Sequence, residues 1–111
     1  AGTVVGFVSF GPNRVTEMPF GGEVYALYVT GDWQGQGLGR RLLTTALEAL
    51  HKEGYPGAMI WVLADNPSRF FYEAMGGQRA GERQESFAGS ELEELAYGWP
   101  DLESWLKEMK G

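Results

Sequence analysis

The spacing of apolar residues alternates between strand-like and helix-like along this chain, and each change marks an element. Thr3 to Phe10, TVVGFVSF, is dense in β-branched and aromatic residues and closes at Gly11-Pro12-Asn13, which predicts a strand followed by a turn. Its apolar positions fall on both parities, Val4 and Phe10 against Val5 and Phe7, which predicts burial on both faces and a place inside a sheet. After Gly21-Gly22, GEVYALYVT predicts a second strand over Glu23 to Thr30, followed by a polar, glycine-rich stretch from Gly31 to Gly39. From Leu38 the period becomes helical. Leu38, Leu42, Leu43, Ala46, Leu47 and Leu50 form one stripe, and Gly54 stops the helix.

Ala58 to Ala64, AMIWVLA, has the length and composition of a buried strand. Asn66 followed by Pro67 is a helix start, with Asn as cap and Pro in the first turn, and the helix runs to about Met75 before Gly76-Gly77. Gln78 to Phe87 and Glu91 to Trp99 predict two strands joined by Ala88-Gly89-Ser90 as an antiparallel hairpin. Pro100 opens a last amphipathic helix with Leu102, Trp105, Leu106 and Met109 on one side. The order β, β, α, β, α, β, β, α predicts an α/β fold, a mixed central sheet with flanking helices. At 111 residues the chain is one domain, residues 1–111.

Composition narrows the chemistry. Without cysteine there are no disulfides or thiolate metal sites, and one histidine, His51, leaves a structural zinc site without ligands, so no metal is expected. A net charge of −6 repels a phosphate backbone, so nucleic acid is not expected as a partner. Residues 81–111 carry eight acids and three bases, five of the six net negative charges, and such a rim would attract a cationic acceptor. The longest apolar run, Ala58 to Ala64, is far short of a membrane span, and with no visible signal peptide the expected compartment is the cytoplasm.

The most informative stretch runs from Val29 to Arg41, VTGDWQGQGLGRR. Here a strand feeds a glycine-rich turn that opens a helix, so free backbone amides and the positive end of the helix dipole converge on one spot suited to a pyrophosphate. Arg40 and Arg41 add positive charge. The same glycines also suit a plain connection that lets the helix pack. The spacing matches neither the lysine-containing phosphate loop of nucleotide hydrolases nor the full dinucleotide fingerprint.

Gln34-Gly35-Gln36-Gly37-Leu38-Gly39 resembles the Q/R-x-x-G-x-G/A acyl-CoA loop of the GNAT superfamily of N-acetyltransferases, placed between a central strand and a helix. A second motif lies where that family has it: Asn66 after a strand, then Phe71-Tyr72 and the helix-ending Gly76-Gly77. The resemblance spans Val4 to Trp99. It implies an acetyl-CoA-dependent N-acetyltransferase that moves an acetyl group to a primary amine by direct attack, with acetyl-CoA as cosubstrate.

Carried over residue by residue, the resemblance gives roles to named positions. Backbone groups of Leu27, Tyr28 and Val29 would hold the pantetheine arm, and the Val29 amide would face the thioester oxygen, where a donor stabilises developing charge. Amides of Gln34, Gly35, Gln36, Gly37, Leu38, Gly39 and Arg40 would bind the pyrophosphate, and Asn66 would contact the pantetheine side. Tyr72 would be the general acid beside the leaving sulfur. A phenol of pKa ~10 facing a thiol of ~8.5 makes full proton transfer uphill by roughly 2 kcal/mol, so Tyr72 works at least as a hydrogen-bond donor. The acceptor amine needs a base, and Glu23, six residues before Val29 and on the same strand face by a period of two, matches a position where some family members carry a glutamate. His51, at the far end of the long helix, is read as surface, and Trp33 and Trp61 as packing.

A second reading is a non-catalytic CoA-binding or assembly module. The family fold begins with a strand, two helices and another strand before the segment that TVVGFVSF resembles, so the chain reads as N-terminally incomplete. The expectation is an upstream extension carrying those elements, or a homodimer in which a second copy fills the edge of the first strand.

Overall fold

The computed structural model describes residues 5–14, 18–35 and 37–110. Val4 and Gln36 lie outside the described residues. The elements follow the predicted order: β1 (Gly6–Pro12), β2 (Gly22–Val29), a short 3-10 turn (Gly31–Trp33), α1 (Leu38–Lys52), β3 (Ala58–Leu63), α2 (Ser68–Ala74), β4 (Gln78–Phe87), β5 (Ser90–Trp99) and α3 (Leu102–Lys110). The strands form one mixed sheet in the order β1-β2-β3-β5-β4, with β2 and β3 parallel and the other neighbours antiparallel.

The parity of each strand assigns the faces. Val24, then Ala58, Ile60 and Val62, then Leu95, Tyr97 and Trp99 share one core with Leu43, Ala46, Leu47 and Leu50 of α1, Tyr72 of α2 and Leu102 of α3. α1, α2 and α3 therefore lie on one face, and for α1 and α2 this is what two successive right-handed crossovers running the same way along the sheet require. On the other face lie Met59, Trp61, Ala96 and Gly98. Met18 and Phe20, between β1 and β2, lie across that face as a strap: a Cβ on Gly98 would collide with the Phe20 ring, and one on Gly81 would touch Met18.

Among the described residues β1 pairs with β2 alone. Val8 and Phe10 pack on the core, while Phe7 is 48% exposed and rests against Tyr28 on the helix-free face, ring centroids 5.9 Å apart. The two apolar parities of β1 thus serve a core and an exposed aromatic pair. The start of α3 is set by Asp101 rather than Pro100, because the Asp101 carboxylate accepts from both the Ser104 amide (3.1 Å) and its hydroxyl (2.8 Å).

Candidate active site

A bulge creates the site. Ser9 pairs with Ala26 and Phe10 with Val24, so Tyr25 is an extra residue on β2. Val24 and Leu27, three apart, consequently pack toward the same core, which a strict period of two forbids. β2 pairs with β3 only from Gly22 to Val24, against Ala58 to Ile60. Beyond the bulge the two parallel strands separate, and the backbone of β2 from Tyr25 to Val29 has no ladder on the β3 side.

Which groups look into that gap follows from the other ladder. The Thr30 amide donates to the Val5 carbonyl at 2.8 Å, so Thr30 faces the β1 side. In an antiparallel ladder the two polar groups of a residue point the same way and alternate along the strand, so Val29 and Leu27 point their N–H and C=O into the gap. The Val29 carbonyl is taken by the Gln34 side-chain amide at 3.0 Å, which leaves the Val29 N–H facing the gap.

The gap continues into a cleft of about 580 Å³ lined by Leu27, Tyr28, Val29, Gln34, Gly35, Gly37, Gly39, Arg40 and Asn66, joined by Ser68, Phe71 and Tyr72. At its outer end α1 begins without a side-chain cap: Gly37, at φ 80°, holds the cap position, and the first turn carries no acid. The first amides of α1 and its positive dipole end are therefore uncompensated by side chains. Leu38 turns its side chain toward Gly6 of β1 and offers only its backbone. Gln36 falls outside the described residues.

α2 forms the opposite wall. The Asn66 side-chain oxygen accepts from the Ser68 amide at 2.8 Å, starting the helix, and Ser68, Phe71 and Tyr72 then share the face toward the cleft by helical spacing. Tyr72 is 5% exposed, and its hydroxyl makes no hydrogen bond to any described residue. Burial pushes its pKa above the usual 10, which keeps the phenol protonated. Its ring stacks edge-on against Phe71 and Trp99, so its direction is fixed by packing.

The structure therefore brings Leu27 to Val29, Gln34, Gly35, Gly37, Gly39, Arg40, Asn66 and Tyr72 to one cleft, and separates Glu23 from it. The bulge reverses the parity between Glu23 and Val29, so the expected common strand face does not exist: Val29 faces the helices and Glu23 the strapped face. There the Glu23 carboxylate is 3% exposed, accepting from the Arg14 amide at 2.9 Å on Oε1 and lying 3.5 Å from the Arg14 guanidinium on Oε2. Ser68 was not singled out from the sequence, although its i, i+3 and i, i+4 spacing to Phe71 and Tyr72 carries the signal, and Phe71 was named only as the neighbour of Tyr72 in the motif. His51 lies in a different cavity, with Tyr55 and Asp101. Trp33 is 44% exposed rather than packed, and Trp61 is covered by the Arg83 guanidinium at 4.1 Å. On the hairpin, Arg83 also pairs with Glu94 at 2.8 Å and Arg79 with Glu82 at 3.1 Å, which locally offsets the acidic excess. No helix among the described residues is long and apolar enough to cross a membrane.

Comparison with known proteins agrees with this geometry. Residues 1–77 match the Acetyltransferase (GNAT) family. The chain is 43% identical over 101 residues to the uncharacterized N-acetyltransferase YuaI of Bacillus subtilis, covering 91% of this chain and 58% of that protein. It is 46% identical over 56 residues to mycothiol acetyltransferase of Streptomyces coelicolor, half of this chain and 18% of that protein. Among solved structures, the ribosomal-protein-S18-alanine N-acetyltransferase from Escherichia coli superposes with a TM-score of 0.59 at 26% identity, covering 72% of this chain and 54% of that one. Arabidopsis thaliana NAA60 in complex with acetyl-CoA shares the fold, with a TM-score of 0.69 at 16% identity over 86% of this chain and 65% of that one. The chain thus spans 58% of YuaI and 18% of that mycothiol acetyltransferase, and on the match over residues 1–77 and the likeness to YuaI it belongs to the GNAT acetyltransferase family.

Proposed function

We propose that the chain carries the cosubstrate half of an acetyl-CoA-dependent N-acetyltransferase that moves an acetyl group to a primary amine by direct attack. The observation that carries this reading is the gap between β2 and β3, with β2 amides that no β3 ladder takes on one wall and, on the other, the Tyr72 hydroxyl, which bonds to no described residue. The residues present fit acetyl-CoA. The uncapped start of α1, with Gly35 and Gly37 both at positive φ and Arg40 beside them, suits a pyrophosphate, and an extended pantetheine arm fits against the free edge of Leu27 to Val29. Acetyl-CoA supplies an activated thioester carbonyl.

The chain's own groups divide the work between the two faces of the sheet. The Val29 N–H donates to the carbonyl oxygen as charge builds on it, already aimed and so with no reorganisation at that moment. Tyr72 donates to the sulfur as the C–S bond breaks and the new C–N bond forms. Its raised pKa makes it a hydrogen-bond donor to the thiolate rather than a complete proton source. The amine approaches from the strapped face, and Glu23 takes its proton there through water. Addition of the amine and loss of the thiolate are separate events at one tetrahedral carbon, so a base for the entering nitrogen and a donor for the leaving sulfur need not come from the same face.

Calorimetric titration with CoA, followed by thiol release from acetyl-CoA across a panel of primary amines, tests the reading. Binding together with amine-dependent thiol release supports it. Binding without release for any amine supports the non-catalytic CoA module, and absence of binding removes both.

A further inference from the structure

We infer that Arg14 is a positioning residue that holds the Glu23 carboxylate at the β2 bulge; this rests on the reading of Glu23 as the base. Glu23 sits at 3% exposure just before the bulge, where its partner on β1 is Gly11. A buried carboxylate needs compensating donors, and among the described residues Arg14 supplies them. The Arg14 amide donates to Oε1 at 2.9 Å, and the guanidinium lies 3.5 Å from Oε2. The first bond is firm and the second long, so Oε2 keeps acceptor capacity for a water or an amine.

Arg14 is in turn fixed from two sides. Its guanidinium lies over the Tyr25 ring, 3.9 Å from the centroid, and Tyr25 is the extra residue of the bulge whose phenol donates to the Pro12 carbonyl at 2.6 Å. The preceding residue, Asn13, ties the strap closed: its amide donates to the Gly21 carbonyl at 2.9 Å and its side chain to the Phe20 carbonyl at 2.7 Å. The bulge therefore supplies two things from one insertion, the gap on one face and, through Tyr25, the platform that aims Arg14 at Glu23 on the other. Arg14 itself is 64% exposed at its side chain, so its placement adds nothing to the core.

A double-mutant cycle on thiol release tests the inference, using Arg14→Ala, Glu23→Gln and the pair. The expectation is a fall in kcat of about tenfold for Arg14→Ala, which keeps the backbone bond to Oε1 and loses the guanidinium, at unchanged CoA affinity, with recovery to within about threefold in Arg14→Lys and no further fall when Arg14→Ala is added to Glu23→Gln. Losses that add, or a full rate in Arg14→Ala beside a reduced one in Glu23→Gln, overturn the role of Arg14 alone. A full rate in Glu23→Gln removes the base reading together with it. Amide exchange supplies a readout that needs no acceptor: the Arg14 N–H is expected to be protected in the parent and to lose protection in Glu23→Ala, and an unprotected Arg14 amide in the parent overturns the inference.

Discussion

Trp99 and Trp105 share one acceptor. Both indole N–H groups donate to the Met75 carbonyl, at 3.1 and 2.7 Å, from β5 and α3 respectively. Met75 ends α2, where helical carbonyls have no partner along the chain, so two rings from distant elements satisfy the end of the helix that carries Tyr72. Gly76, at φ 90°, makes the turn that exposes this carbonyl.

The first expectation concerns that junction. Trp105→Phe removes the shorter bond but leaves Trp99 on the same oxygen, so the carbonyl is not orphaned and the cost should be about 1 kcal/mol. Trp99→Phe, at a site 1% exposed, also opens a void and should cost more. Urea unfolding midpoints of the two variants check the order. A larger loss for Trp105→Phe would mean that the shared acceptor is not what anchors α2.

A second expectation separates backbone conformation from space. A Cβ on Gly37 meets nothing within 4 Å, so a substitution there suffers from its φ of 80° and not from a clash. Gly37→Ala should cost about 1–2 kcal/mol of stability through left-handed strain and shift the amides at the start of α1, weakening CoA binding. Gly31→Ala, also in open space but with no positive φ, is the control and should leave both unchanged. Thermal shift with and without CoA reads both quantities. Equal CoA stabilisation in Gly37→Ala and the parent would take the turn out of the site.

Third, Tyr72→Phe should lower turnover on the order of a hundredfold while CoA affinity stays within about twofold, because the hydroxyl matters only as the thiolate leaves. Phe keeps the edge-on ring contacts with Phe71 and Trp99, so packing is preserved. Steady-state rates beside CoA titration check this, and equal rates would leave Tyr72 as a packing residue.

The order of elements, their approximate bounds and the two motifs were legible in the sequence because they depend on local period and punctuation. Leu38 to Leu50 can bury only one stripe, and Asn66 and Gly76 act within a turn of where they stand. The bulge at Tyr25 was not legible. GEVYALYVT alternates no differently from an unbroken strand, and the extra residue shows only against Ser9 and Phe10 of β1. That one missing fact misplaced Glu23, since parity arguments hold only along an unbroken ladder. The partner of Phe7 was hidden for a related reason: Phe7 and Phe10 read only as apolar on opposite parities, and the pairing with β2 is what sets Phe7 opposite Tyr28.

The last expectation is an alkaline one. Tyr72 and Tyr97 both have pKa values raised above 10.0. For Tyr72 the cause is burial. For Tyr97 burial comes first, followed by the hydrogen bond its phenol donates to Glu73 at 2.5 Å and by the charge of that carboxylate, against a smaller opposing effect of Arg69. A raised pKa means that the folded chain holds its phenolic protons where the unfolded chain has released them. The stability from these two groups is therefore complete below pH ~10 and is lost as pH rises through their folded values. Alkaline unfolding should accordingly be accompanied by release of two late-titrating phenols, visible in the tyrosinate absorbance. Tyr72→Phe and Tyr97→Phe should each remove one of them and move the alkaline midpoint upward, by comparison with the same variant's own stability at neutral pH. Two phenols that ionise early, with the fold intact, would contradict the burial that places Tyr72 in the wall of the cleft.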